Sequence, residues 1–571
     1  MTALVIERPP ELNGAGYCRP NPQQLHALLN AAPEGTPWVI DTETTGLEVR
    51  GPGAKDTAVW IGLLPLNGSI AVILDRGIFD LVRDRIAELQ LIGHNVRFDL
   101  HALDFHPKKP PIDTMVAPYF GNMAASKSLD FLAAKRGYPK LATPHELKTG
   151  QIEKLPFETL AAYLADDVLF TERLYREQEK FIRHFKLEDD FALERAVFNM
   201  EQRGVILDEQ RLRAARNLAK TDIAAAKLRL TSMGFPATAN IDSPTQIAAW
   251  LIENGRRLPL TPSGKPKCDK FVLQDLADKG DTFAEVLINY RRLTKLDSAF
   301  LSKLPEHARN GRIYPSINTM LTRTGRFSYS DPNLQQIPKG RNLPLAKEIR
   351  QCLTGEGGVS VADYSQVELR VAAALSKEPV LLEAFAAGRD VHREVAAKML
   401  GKSPDQVSDV ERFGAKAVNF GILNGMGASR LAVELKSSVA HAAGFLEEYR
   451  SAMPALTQWM FDLWERAETD RIAYTCSGRT RIFGEGESTR PAVSVLVQGT
   501  AAELMRAAIV FADESRLRPI LAVHDELVIE GQGHERELAE AMRYAAESRF
   551  PEALYGVSFP ADGFSALTWG G

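Results

Sequence analysis

Hydrophobic and polar positions follow two different periods in the first third of the chain. Short apolar runs that suit strands occur in TPWVIDTE, TAVWIGLLPL and SIAVILDR. The segments FDLVRDRIAELQ and FETLAAYLADDVLFTERLYREQEKF instead repeat apolar residues three and four positions apart, which is the period of a helix. Strands that alternate with helices indicate an α/β domain over residues 36–180.

The remainder of the chain predicts a helical segment followed by a mixed one. Residues 185–310 are mostly helical in period, with interruptions near SPTQ and at the exposed loop LPLTPSGKPKCDK. From residue 311 onward, strand-like pieces occur at GGVSVADYSQVEL, YTCSGRTRIF and LAVHDELVIE. A long helical tract, 376–470, separates the first of these pieces from the other two.

Chain length and composition bound the class of protein. A chain of 571 residues is expected to divide into about three or four domains. It is 45% hydrophobic and 25% charged, as soluble globular proteins are. Neither a signal peptide nor a run of ~18 apolar residues is apparent. The four cysteines lie far apart without a CxxC pair, which indicates a reducing cytoplasm and argues against a zinc site or a disulfide framework.

Charge is unevenly distributed along the chain. The formal net charge of −4 gives no support for binding to nucleic acid. Residues 211–300, however, contain fifteen Lys or Arg against nine Asp or Glu. Such an excess fits either a solvated helical face or a contact with phosphates, and charge alone leaves both open.

Acidic residues recur at three places in the α/β segment. Asp41 and Glu43 stand two apart at the end of WVIDTE, so alternation sends both side chains to one face of the sheet. Asp99 follows in IGHNVRFDL, and YLADD places Tyr163 and Asp167 one helical turn apart. Four converging carboxylates would repel each other unless they held cations, and hard oxygen ligands favour Mg²⁺ or Mn²⁺. Two such ions suit phosphodiester hydrolysis, although DxE by itself would indicate only a surface turn.

These three segments, in this order, resemble the three motifs of the DEDDy 3′–5′ proofreading exonucleases. The resemblance implies that Asp41, Glu43, Asp99 and Asp167 are metal ligands, and that Tyr163 is the catalytic tyrosine of the subclass. All five positions match the motifs, so we expect an active exonuclease site.

A second set of acidic residues lies in apolar surroundings. LAVHDELVIE encloses His524, Asp525 and Glu526 between apolar residues, where charges are costly unless something compensates them. VSVADYSQVELR places Asp363 at the end of another strand and Glu368 where a helix would begin. Acids from the two segments can meet across a sheet and hold two Mg²⁺ ions ~3.5–4 Å apart, as in polymerases and nucleases. A hairpin with a polar tip is the alternative interpretation of HDE by itself.

Between these two acidic segments, ERFGAKAVNFGILNGMG repeats chemically distinctive side chains every four residues. Arg412, Lys416, Phe420 and Asn424 would form one slowly drifting ridge on a helix. Two cations and an aromatic ring suit a nucleotide, with the charges on the phosphates and the ring against the sugar or base. An amphipathic surface helix would show the same spacing.

In combination, the last three segments resemble motifs A, B and C of the family A DNA polymerases, the bacterial polymerase I type. The resemblance extends to TRTGRFSYSDPNLQQIP, GRDVHREVA, SGRTRI and VQGTAAELMRAA. With the exonuclease motifs it covers nearly the whole chain in the order of the family. It implies an α/β exonuclease (RNase H-like) domain followed by an α+β right-hand polymerase with thumb, palm and fingers.

The predicted layout has five segments. They are the exonuclease domain (1–185), the thumb (186–310), the first part of the palm (311–375), the fingers (376–489) and the second part of the palm (490–571). Only about 35 residues precede the first exonuclease strand, so we expect no 5′-nuclease domain, and a phage-type enzyme is compatible with this layout. The basic excess over residues 211–300 then fits phosphate contacts made by the thumb.

The resemblance implies roles around the paired acids. Asp363 and Asp525 would bind the metal ions, with the carbonyl of Tyr364 as a further ligand. Glu526 would be an auxiliary acid beside the primer end, and His524 would contact the primer strand. We expect two Mg²⁺ ions in each active site, with Mn²⁺ as the alternative.

The resemblance also implies the nucleotide contacts. Arg412, Lys416 and His392 would bind the incoming triphosphate, and Lys416 would also donate a proton to the departing pyrophosphate. Phe420 would pack on the deoxyribose, and Glu368 would fill the space that a ribose 2′-hydroxyl needs.

Contacts with the DNA duplex follow from the same resemblance. Arg326 would read the minor groove at the primer terminus. Template or primer contacts are also implied for Asn333, Gln335, Arg490 and Gln498, and these mostly position the duplex. The expected partners are primer–template DNA and dNTPs. We expect a monomer without membrane attachment, and accessory replication proteins remain open as partners.

Three positions depart from the family pattern. Asn424 stands where motif B normally has tyrosine; it could still hydrogen-bond Glu368, but stacking on the template base would be lost. Ser494 replaces a common asparagine before QGT, and Ala522 replaces a common glutamine before VHDEL. We hypothesise weaker base selection or easier lesion bypass from Asn424, and a weaker grip on the primer–template from the other two.

Two other functions stay open at the level of the sequence. A single-subunit phage-type RNA polymerase shares the fold and the paired aspartates, although Glu368 and the exonuclease motifs argue against it. A 3′–5′ DNA exonuclease whose impaired polymerase half only binds DNA would need a broken motif, and Asn424 is the departure that hints at one. Primer extension with dNTPs would separate these alternatives.

Overall fold

The structure is a computed structural model, and it describes residues 5–6, 16–340, 343–435 and 437–571. Up to Gly204 its elements are β1 (Val5–Ile6), β2 (Gly16–Cys18), α1 (Pro22–Ala31), β3 (Trp38–Thr44), β4 (Ala58–Pro65), β5 (Ile70–Asp75), α2 (Arg76–Ala87), β6 (Leu91–Gly93), α3 (Val96–Ala102), β7 (Ile112–Asp113), α4 (Val116–Gly121), α5 (Leu129–Lys135), α6 (His145–Lys148), α7 (Phe157–Phe185) and α8 (Glu188–Arg203).

The middle of the chain continues with short strands and a group of helices. These are β8 (Val205–Leu207), α9 (Glu209–Ser232), α10 (Pro244–Glu253), α11 (Lys270–Asp278), α12 (Thr282–Leu296), β9 (Ala308–Arg309), β10 (Arg312–Ile313), β11 (Ser316–Asn318), β12 (Ser328–Ser330), α13 (Pro344–Gln351) and β13 (Leu353–Thr354).

The last part of the chain carries the strands predicted around the second set of acids. Its elements are β14 (Val359–Tyr364), α14 (Val367–Ser376), α15 (Pro379–Ala386), α16 (Val391–Leu400), α17 (Asp409–Leu423), α18 (Ala428–Glu434), α19 (Val439–Ala452), α20 (Pro454–Asp470), β15 (Ile472–Tyr474), β16 (Thr480–Ile482), α21 (Ala492–Glu514), β17 (Pro519–Val523), β18 (Glu526–Glu530), α22 (Glu535–Arg549) and β19 (Ala561–Ala566).

The chain forms two compact units. The first comprises the residues up to Gly204 together with Tyr314–Ser330 and Ser360–Ser565, and the second comprises Val205–Ile313, Asp331–Val359 and Ala566–Gly571. The first unit therefore combines the exonuclease-like sheet with most of the segments predicted as palm and fingers, and the second holds most of the predicted thumb. This division is coarser than the five predicted segments, whose boundaries stay predictions.

A seven-stranded sheet organises the N-terminal part of the first unit, in the order β1-β2-β5-β4-β3-β6-β7. β3 pairs antiparallel with β4 and parallel with β6. Val39 packs in the core with α7, whereas Ile40 packs on the opposite face with α1, α2 and α3. Burial on both faces explains why these strands are almost continuously apolar. Because side chains alternate, Asp41 and Glu43 share the face of Val39, toward α7.

Glycine permits the close approach of α7 to this sheet. Gly62 on β4 pairs with Asp41, and a Cβ at that position would lie 2.8 Å from Cγ of Leu164 on α7. Any larger residue would therefore push the helix away from the strand that carries the predicted metal ligands. The helix must lie this close for its polar side chains to reach Asp41.

A second sheet in the first unit has the order β17-β18-β14-β19. β17 and β18 form the predicted antiparallel hairpin, and α21 packs against α14 and α22 beside it. Among the described residues, α21 is the one helix long and apolar enough to cross a membrane, but 72% of its most apolar stretch is buried inside the fold. Such burial is typical of a core helix.

The second unit is mostly helical, as the period of its sequence predicts. An aromatic group from α10, α12 and the preceding loop lies in its core, where the rings of Trp250 and Phe283 are 4.0 Å apart between centroids. The interruption near SPTQ is a helix start, because Ser243 caps α10 and Pro244 is its first residue. The loop LPLTPSGKPKCDK connects α10 to α11, and Leu260 within it is exposed.

Candidate active sites

The predicted exonuclease residues converge where β3 passes α7. Oxygen atoms of Asp41, Glu43 and Asp167 all lie within 4.8 Å of one another. Tyr163 precedes Asp167 by one turn of α7. The structure therefore brings together side chains that are more than a hundred positions apart in the sequence, as the motif spacing predicts.

Asp99, on α3, does not belong to that 4.8 Å group but lies close enough for its charge to act on Asp41 and Glu43. The helix begins after Asn95, whose φ of 64° is left-handed, and the buried carboxylate of Asp113 accepts the N–H groups of Asn95 and Val96 at 3.0 Å each. The hydroxyl of Thr42 then donates to Oδ1 of Asp99 at 2.7 Å. Because Thr42 lies between Asp41 and Glu43, this hydrogen bond ties the fourth carboxylate to the same strand.

The four carboxylates carry an electrostatic cost in the absence of a cation. Burial, then the neighbouring carboxylates, raise the pKa of Asp41 well above its usual range and that of Glu43 to about 8. Burial is also the main cause that raises the pKa of Asp99 to about 8 and that of Asp167 to about 6. A hard divalent cation would remove this repulsion, and an all-oxygen donor set is the one that such ions prefer. The residues present therefore fit a metal site.

Lys140 is a cation inside this acidic group that the sequence analysis missed. Its Nζ lies 2.7 Å from Oδ1 of Asp167 and 3.1 Å from Oδ1 of Asp130. It is also 3.5 Å from the hydroxyl of Tyr163, which is 3.2 Å from Oγ1 of Thr143. Burial lowers the pKa of Lys140, but Asp167 and Tyr163 more than offset this, so the ammonium stays charged. Lys140 thus offsets part of the negative charge and orients both Asp167 and Tyr163.

The first aspartate of YLADD explains why Lys140 reaches the site. Asp166 is buried and accepts hydrogen bonds from the hydroxyl of Tyr138 at 3.0 Å and from the N–H of Leu141 at 2.8 Å. It therefore fixes the loop on either side of Lys140, while Asp167 receives the ammonium. The two adjacent aspartates have different surroundings: Asp166 holds the loop, and Asp167 lies in the candidate metal site.

A cavity of about 300 Å³ adjoins the acidic group. Its lining includes the carboxylate residue Glu43, the hydroxyl residue Thr143 and the apolar residues Leu47 and Phe98. Leu47 is 77% exposed, so its side chain is accessible at the mouth of this cavity. A mixed lining of this kind suits the base and sugar of a nucleotide whose phosphate lies at the carboxylates.

The second set of acids meets at the β17–β18 hairpin. His524 and Asp525 form its two-residue turn, and His524 has a left-handed φ of 57°. The N–H of Tyr364 donates to the carbonyl of Asp525 at 3.0 Å, so the end of β14 that carries Asp363 lies against this turn. Glu526 follows on β18 and is only 5% exposed. The structure thus joins the two strand ends that the sequence analysis predicted to meet.

The predicted triphosphate-binding residues gather on α16 and α17. Arg412 and Lys416 stand one turn apart on α17, and the His392 ring on α16 lies 5.6 Å from that of Phe420 between centroids. Burial lowers the pKa of His392 to about 4; Asp390 opposes this, and the nearby Arg412 and Lys416 reinforce it. His392 is therefore neutral at neutral pH, beside the basic side chains of Arg412 and Lys416.

The tautomer of His392 is set by two residues that the sequence analysis missed. The hydroxyl of Tyr449 donates to Oδ1 of Asn419 at 2.8 Å, which turns the Asn419 amide nitrogen toward Nδ1 of His392 at 3.0 Å. Nδ1 then accepts a hydrogen bond, so Nε2 carries the proton. A neutral histidine with a protonated Nε2 is a donor suited to a phosphate oxygen.

Glu368 and Asn424 do not contact each other as the sequence analysis considered. Glu368 accepts a hydrogen bond from the guanidinium of Arg326. Nδ2 of Asn424 donates to the carbonyl of Phe420 at 2.8 Å, and its Oδ1 accepts from the amide of Gln498. The Asn424–Glu368 hydrogen bond that the sequence left possible is therefore not formed, because the amide of Asn424 is satisfied by its own helix and by α21.

The remaining predicted DNA contacts divide between the two units. Arg490 and Gln498 lie in the first unit, at the start of α21 and in its second turn, and the indole of Trp464 donates to the carbonyl of Arg490 at 3.1 Å. Asn333 and Gln335 lie in the second unit, at a short 3₁₀ turn. Ser494 and Ala522, which depart from the family pattern, both make hydrogen bonds within the protein. The hydroxyl of Ser494 donates to the carbonyl of Leu423 at 3.0 Å, and the N–H of Ala522 donates to the hydroxyl of Tyr329 at 3.0 Å.

Comparison with known families matches nearly the whole chain. The model of the DNA polymerase family A matches residues 209–555, and the model of the 3′-5′ exonuclease matches residues 21–182. The chain belongs to DNA polymerase family A. The first match includes both segments that hold Asp363 and Asp525, and the second includes all four predicted exonuclease carboxylates.

Relatives of this family A chain are bacterial DNA polymerases I. It is 36% identical over 420 residues to the thermostable DNA polymerase I of Thermus filiformis, covering 68% of this chain and 49% of that protein. It is 29% identical over 572 residues to DNA polymerase I of Borreliella burgdorferi, covering 92% of this chain and 62% of that protein. The chain thus spans about half the length of the first of these relatives.

A solved structure shares the fold. It is the POL domain of Pol1 from M. smegmatis, in complex with DNA primer-template and dNTP, with a TM-score of 0.82 and 23% sequence identity. The match covers 97% of this chain and 99% of that one. At this level of identity the likeness shows the fold, which is the predicted exonuclease domain followed by a right-hand polymerase.

Proposed function

We propose that this family A polymerase is a DNA-directed DNA polymerase with a 3′–5′ exodeoxyribonuclease activity. It extends a primer 3′ end with dNTPs under the direction of a template, and it removes mispaired ends at a second site. The observation that carries the proposal is the hydrogen bond from the Tyr364 N–H to the Asp525 carbonyl, 3.0 Å, which joins two acid-bearing strand ends. It lies in the part of the chain that matches the polymerase family.

In the polymerase site, Asp363, Asp525 and the carbonyl of Tyr364 hold two divalent metal ions, which we propose to be Mg²⁺. Metal ions held there would acidify the primer 3′-hydroxyl and stabilise negative charge on the α-phosphate. Glu526 lies next to Asp525 as an auxiliary acid, and His524 at the tip of the turn contacts the primer strand.

The fingers residues hold the triphosphate of the incoming nucleotide. Arg412 and Lys416 neutralise its charge, and neutral His392 donates from Nε2 to a phosphate oxygen. Lys416 also supplies a proton to pyrophosphate as it leaves. Phe420 packs against the sugar, and Glu368 occupies the space that a 2′-hydroxyl would need.

In the exonuclease site, Asp41, Glu43, Asp99 and Asp167 hold the metal ions, and Mg²⁺ again fits this donor set. When bound, the ions activate water and stabilise the leaving 3′-oxygen. Tyr163, fixed by Thr143 and Lys140, orients the attacking water. The adjoining cavity at Leu47 and Phe98 receives the terminal nucleotide of a frayed primer.

The second unit supplies the grip on the duplex. Lysine and arginine side chains within residues 211–300, where basic residues outnumber acidic ones, contact the phosphate backbone. Asn333 and Gln335 add polar contacts to the DNA. Arg326, Arg490 and Gln498 contact the primer–template from the first unit. We propose a monomer that acts in the cytoplasm, with room for accessory replication proteins as partners.

Primer extension tests this proposal. A 5′-labelled primer on a longer template is incubated with the full chain and Mg²⁺, with dNTPs, with rNTPs, or with no nucleotide. Extension set by the template with dNTPs, and shortening from the 3′ end without nucleotide, support both activities. Shortening in every lane would instead mean that the polymerase half only binds DNA. Extension with rNTPs alone would favour an RNA polymerase.

A further inference from the structure

Arg326 holds the carboxylate that faces the sugar in the proposed function. Its guanidinium donates to Oε1 of Glu368, the second residue of α14, whose side chain is only 12% exposed. Burial raises the pKa of Glu368, and Asp525 adds to this while Arg326 opposes it. A carboxylate that is both buried and close to another acid needs a cationic partner to stay charged and in one position.

Residue 424 takes no part in holding this carboxylate. The amide nitrogen of Asn424 donates to the carbonyl of Phe420 at 2.8 Å, and the amide oxygen accepts from Gln498 on α21. Both polar atoms of Asn424 are therefore used between α17 and α21. Asn424, which follows the last residue of α17, therefore does not hold the carboxylate of Glu368 by a hydrogen bond.

The backbone that presents Arg326 is itself fixed. Oγ1 of Thr322 donates to the carbonyl of Arg326 at 2.7 Å, which closes the loop. Nη2 of Arg506, a buried residue of α21, donates to the carbonyl of Gly325 at 3.0 Å. Gly325 has a left-handed φ of 77°, which lets the chain turn there without strain. Arg326 is thus anchored on both sides, and only its side chain extends to Glu368.

We propose that Arg326 is a positioning residue for sugar selection: by fixing the carboxylate of Glu368, it sets how strictly this polymerase rejects ribonucleotides, independently of Asn424. The inference rests on the proposed function, in which Glu368 occupies the space of the 2′-hydroxyl. A glutamate side chain has three rotatable bonds, and without Arg326 the carboxylate can swing out of that space. Rejection of the 2′-hydroxyl then weakens although Glu368 is still present.

The experiment measures kcat/KM for one dNTP and for the matching rNTP opposite the same template base. The full chain is used in an Asp41→Asn background, so that primer shortening does not interfere. Arg326 also contacts the primer terminus in the proposed function, but the effect of removing that interaction is equal for both nucleotides and cancels in the dNTP/rNTP ratio. The variants are Arg326→Gln, Arg326→Lys, Glu368→Ala and the double variant Arg326→Gln with Glu368→Ala.

Two further variants serve as matched controls. Arg323→Gln removes an arginine of the same loop whose Nη1 pairs with Oε1 of Glu487, at 3.4 Å, and not with Glu368. Asn424→Ala removes the hydrogen bonds to Phe420 and Gln498. We expect Arg323→Gln to leave the ratio within about twofold, and Asn424→Ala to change the efficiencies for both sugars in parallel. Thermal unfolding of each variant verifies that it is folded.

The expected result is a dNTP/rNTP ratio that falls by about tenfold or more in Arg326→Gln and recovers in part in Arg326→Lys. The double variant should match Glu368→Ala alone, because Arg326 acts only through that carboxylate. An unchanged ratio in Arg326→Gln, alongside a reduced ratio in Glu368→Ala, would overturn the inference and leave the role of Glu368 intact. An unchanged ratio in Glu368→Ala would overturn that role, and with it the inference.

Discussion

Replacing Glu201 with glutamine should loosen the helix that carries Asp99. Glu201 lies on α8 and is 1% exposed. Its Oε1 accepts the N–H of Ile317 at 2.7 Å. Its Oε2 is 2.7 Å from Nε2 of His101 and 3.3 Å from Nη1 of Arg97, and both of these residues belong to α3. Glu201→Gln keeps the shape and one acceptor but removes the charge that Arg97 faces.

The size of the effect follows from the pKa of Glu201. Burial opposes its charge, yet Arg97 and His101 lower the pKa from 4.5 to about 2. A difference of about 2.5 pKa units corresponds to about 3 kcal/mol in favour of the charged form. Loss of one partner from a buried ion pair costs about 3–5 kcal/mol of stability, which is consistent with the value from the pKa. Arg97 keeps Glu194 at 2.7 Å, so we expect the lower end, a loss of about 3 kcal/mol in the free energy of unfolding.

Denaturant unfolding at pH 7 and exonuclease activity on single-stranded DNA measure this prediction. The pKa of Glu201 is depressed, so its stabilising contribution is present above pH 4.5 and is lost as the pH falls toward 2. The difference in the free energy of unfolding between wild type and Glu201→Gln should therefore become smaller as the pH falls from 4.5 toward 2. Exonuclease activity should fall more than primer extension does, because Asp99 lies on the loosened helix.

A matched substitution on the surface provides the control. Glu179→Gln removes a charge from the exposed end of α7, where its partner Arg183 lies one turn away. Such a pair contributes about 0.3–0.5 kcal/mol, so this variant should remain close to wild type. If the free energy of unfolding of Glu201→Gln lies within about 0.5 kcal/mol of wild type and exonuclease activity is complete, the carboxylate of Glu201 does not stabilise α3 as inferred.

Three further predictions concern metal, charge and salt. Lys140→Met should lower the rate of single-strand degradation by about tenfold or more and leave primer extension unchanged, because Asp167 and Tyr163 lose their common partner. Equal losses of activity in both assays would contradict this prediction. The pKa values of Glu43 and Asp99 are raised to about 8, so the metal-free protein loses stability as the pH rises toward 8. Mg²⁺ should therefore raise the unfolding temperature more at pH 8 than at pH 6. An equal rise at both pH values would count against the metal site. The double variant Arg216→Gln with Lys220→Gln should bind primer–template with a weaker dependence on salt. The slope of log affinity against log salt concentration should fall by about one for each phosphate that the variant no longer neutralises. An unchanged slope would show that α9 does not bind the phosphate backbone.

The sequence predicted the parts of the fold that depend on local pattern. The strands around Asp41, the hairpin around Asp525 and the helix with Arg412 and Lys416 all follow from period and from polar residues at element ends. Side-chain alternation was sufficient to place Asp41 and Glu43 on one face. The assignment of roles, in contrast, came from resemblance to a family and not from the pattern.

What could not be predicted depends on contacts between distant segments. Lys140 lies in an irregular loop, and the hydrogen bonds of Asp166 with Tyr138 and Leu141 fix that loop so that Lys140 reaches Asp167. Asn424 suggested a partner for Glu368 by chemical type, but the geometry of the helix end gave its amide other partners. Arg326 has no signal in the local period that links it to Glu368, because it lies in the loop before β12 whereas Glu368 is on α14.

Separate inactivation of the two sites distinguishes the two proposed activities. Wild type, Asp41→Asn and Asp525→Asn are each given a 5′-labelled primer whose 3′ end is either mispaired or fully paired, annealed to a longer template, with Mg²⁺ and dNTPs. The account predicts that wild type removes the mispaired end and extends, that Asp525→Asn shortens without extending, and that Asp41→Asn does not shorten but extends a fully paired primer. Extension by Asp525→Asn, or shortening by Asp41→Asn at the wild-type rate, would contradict the account.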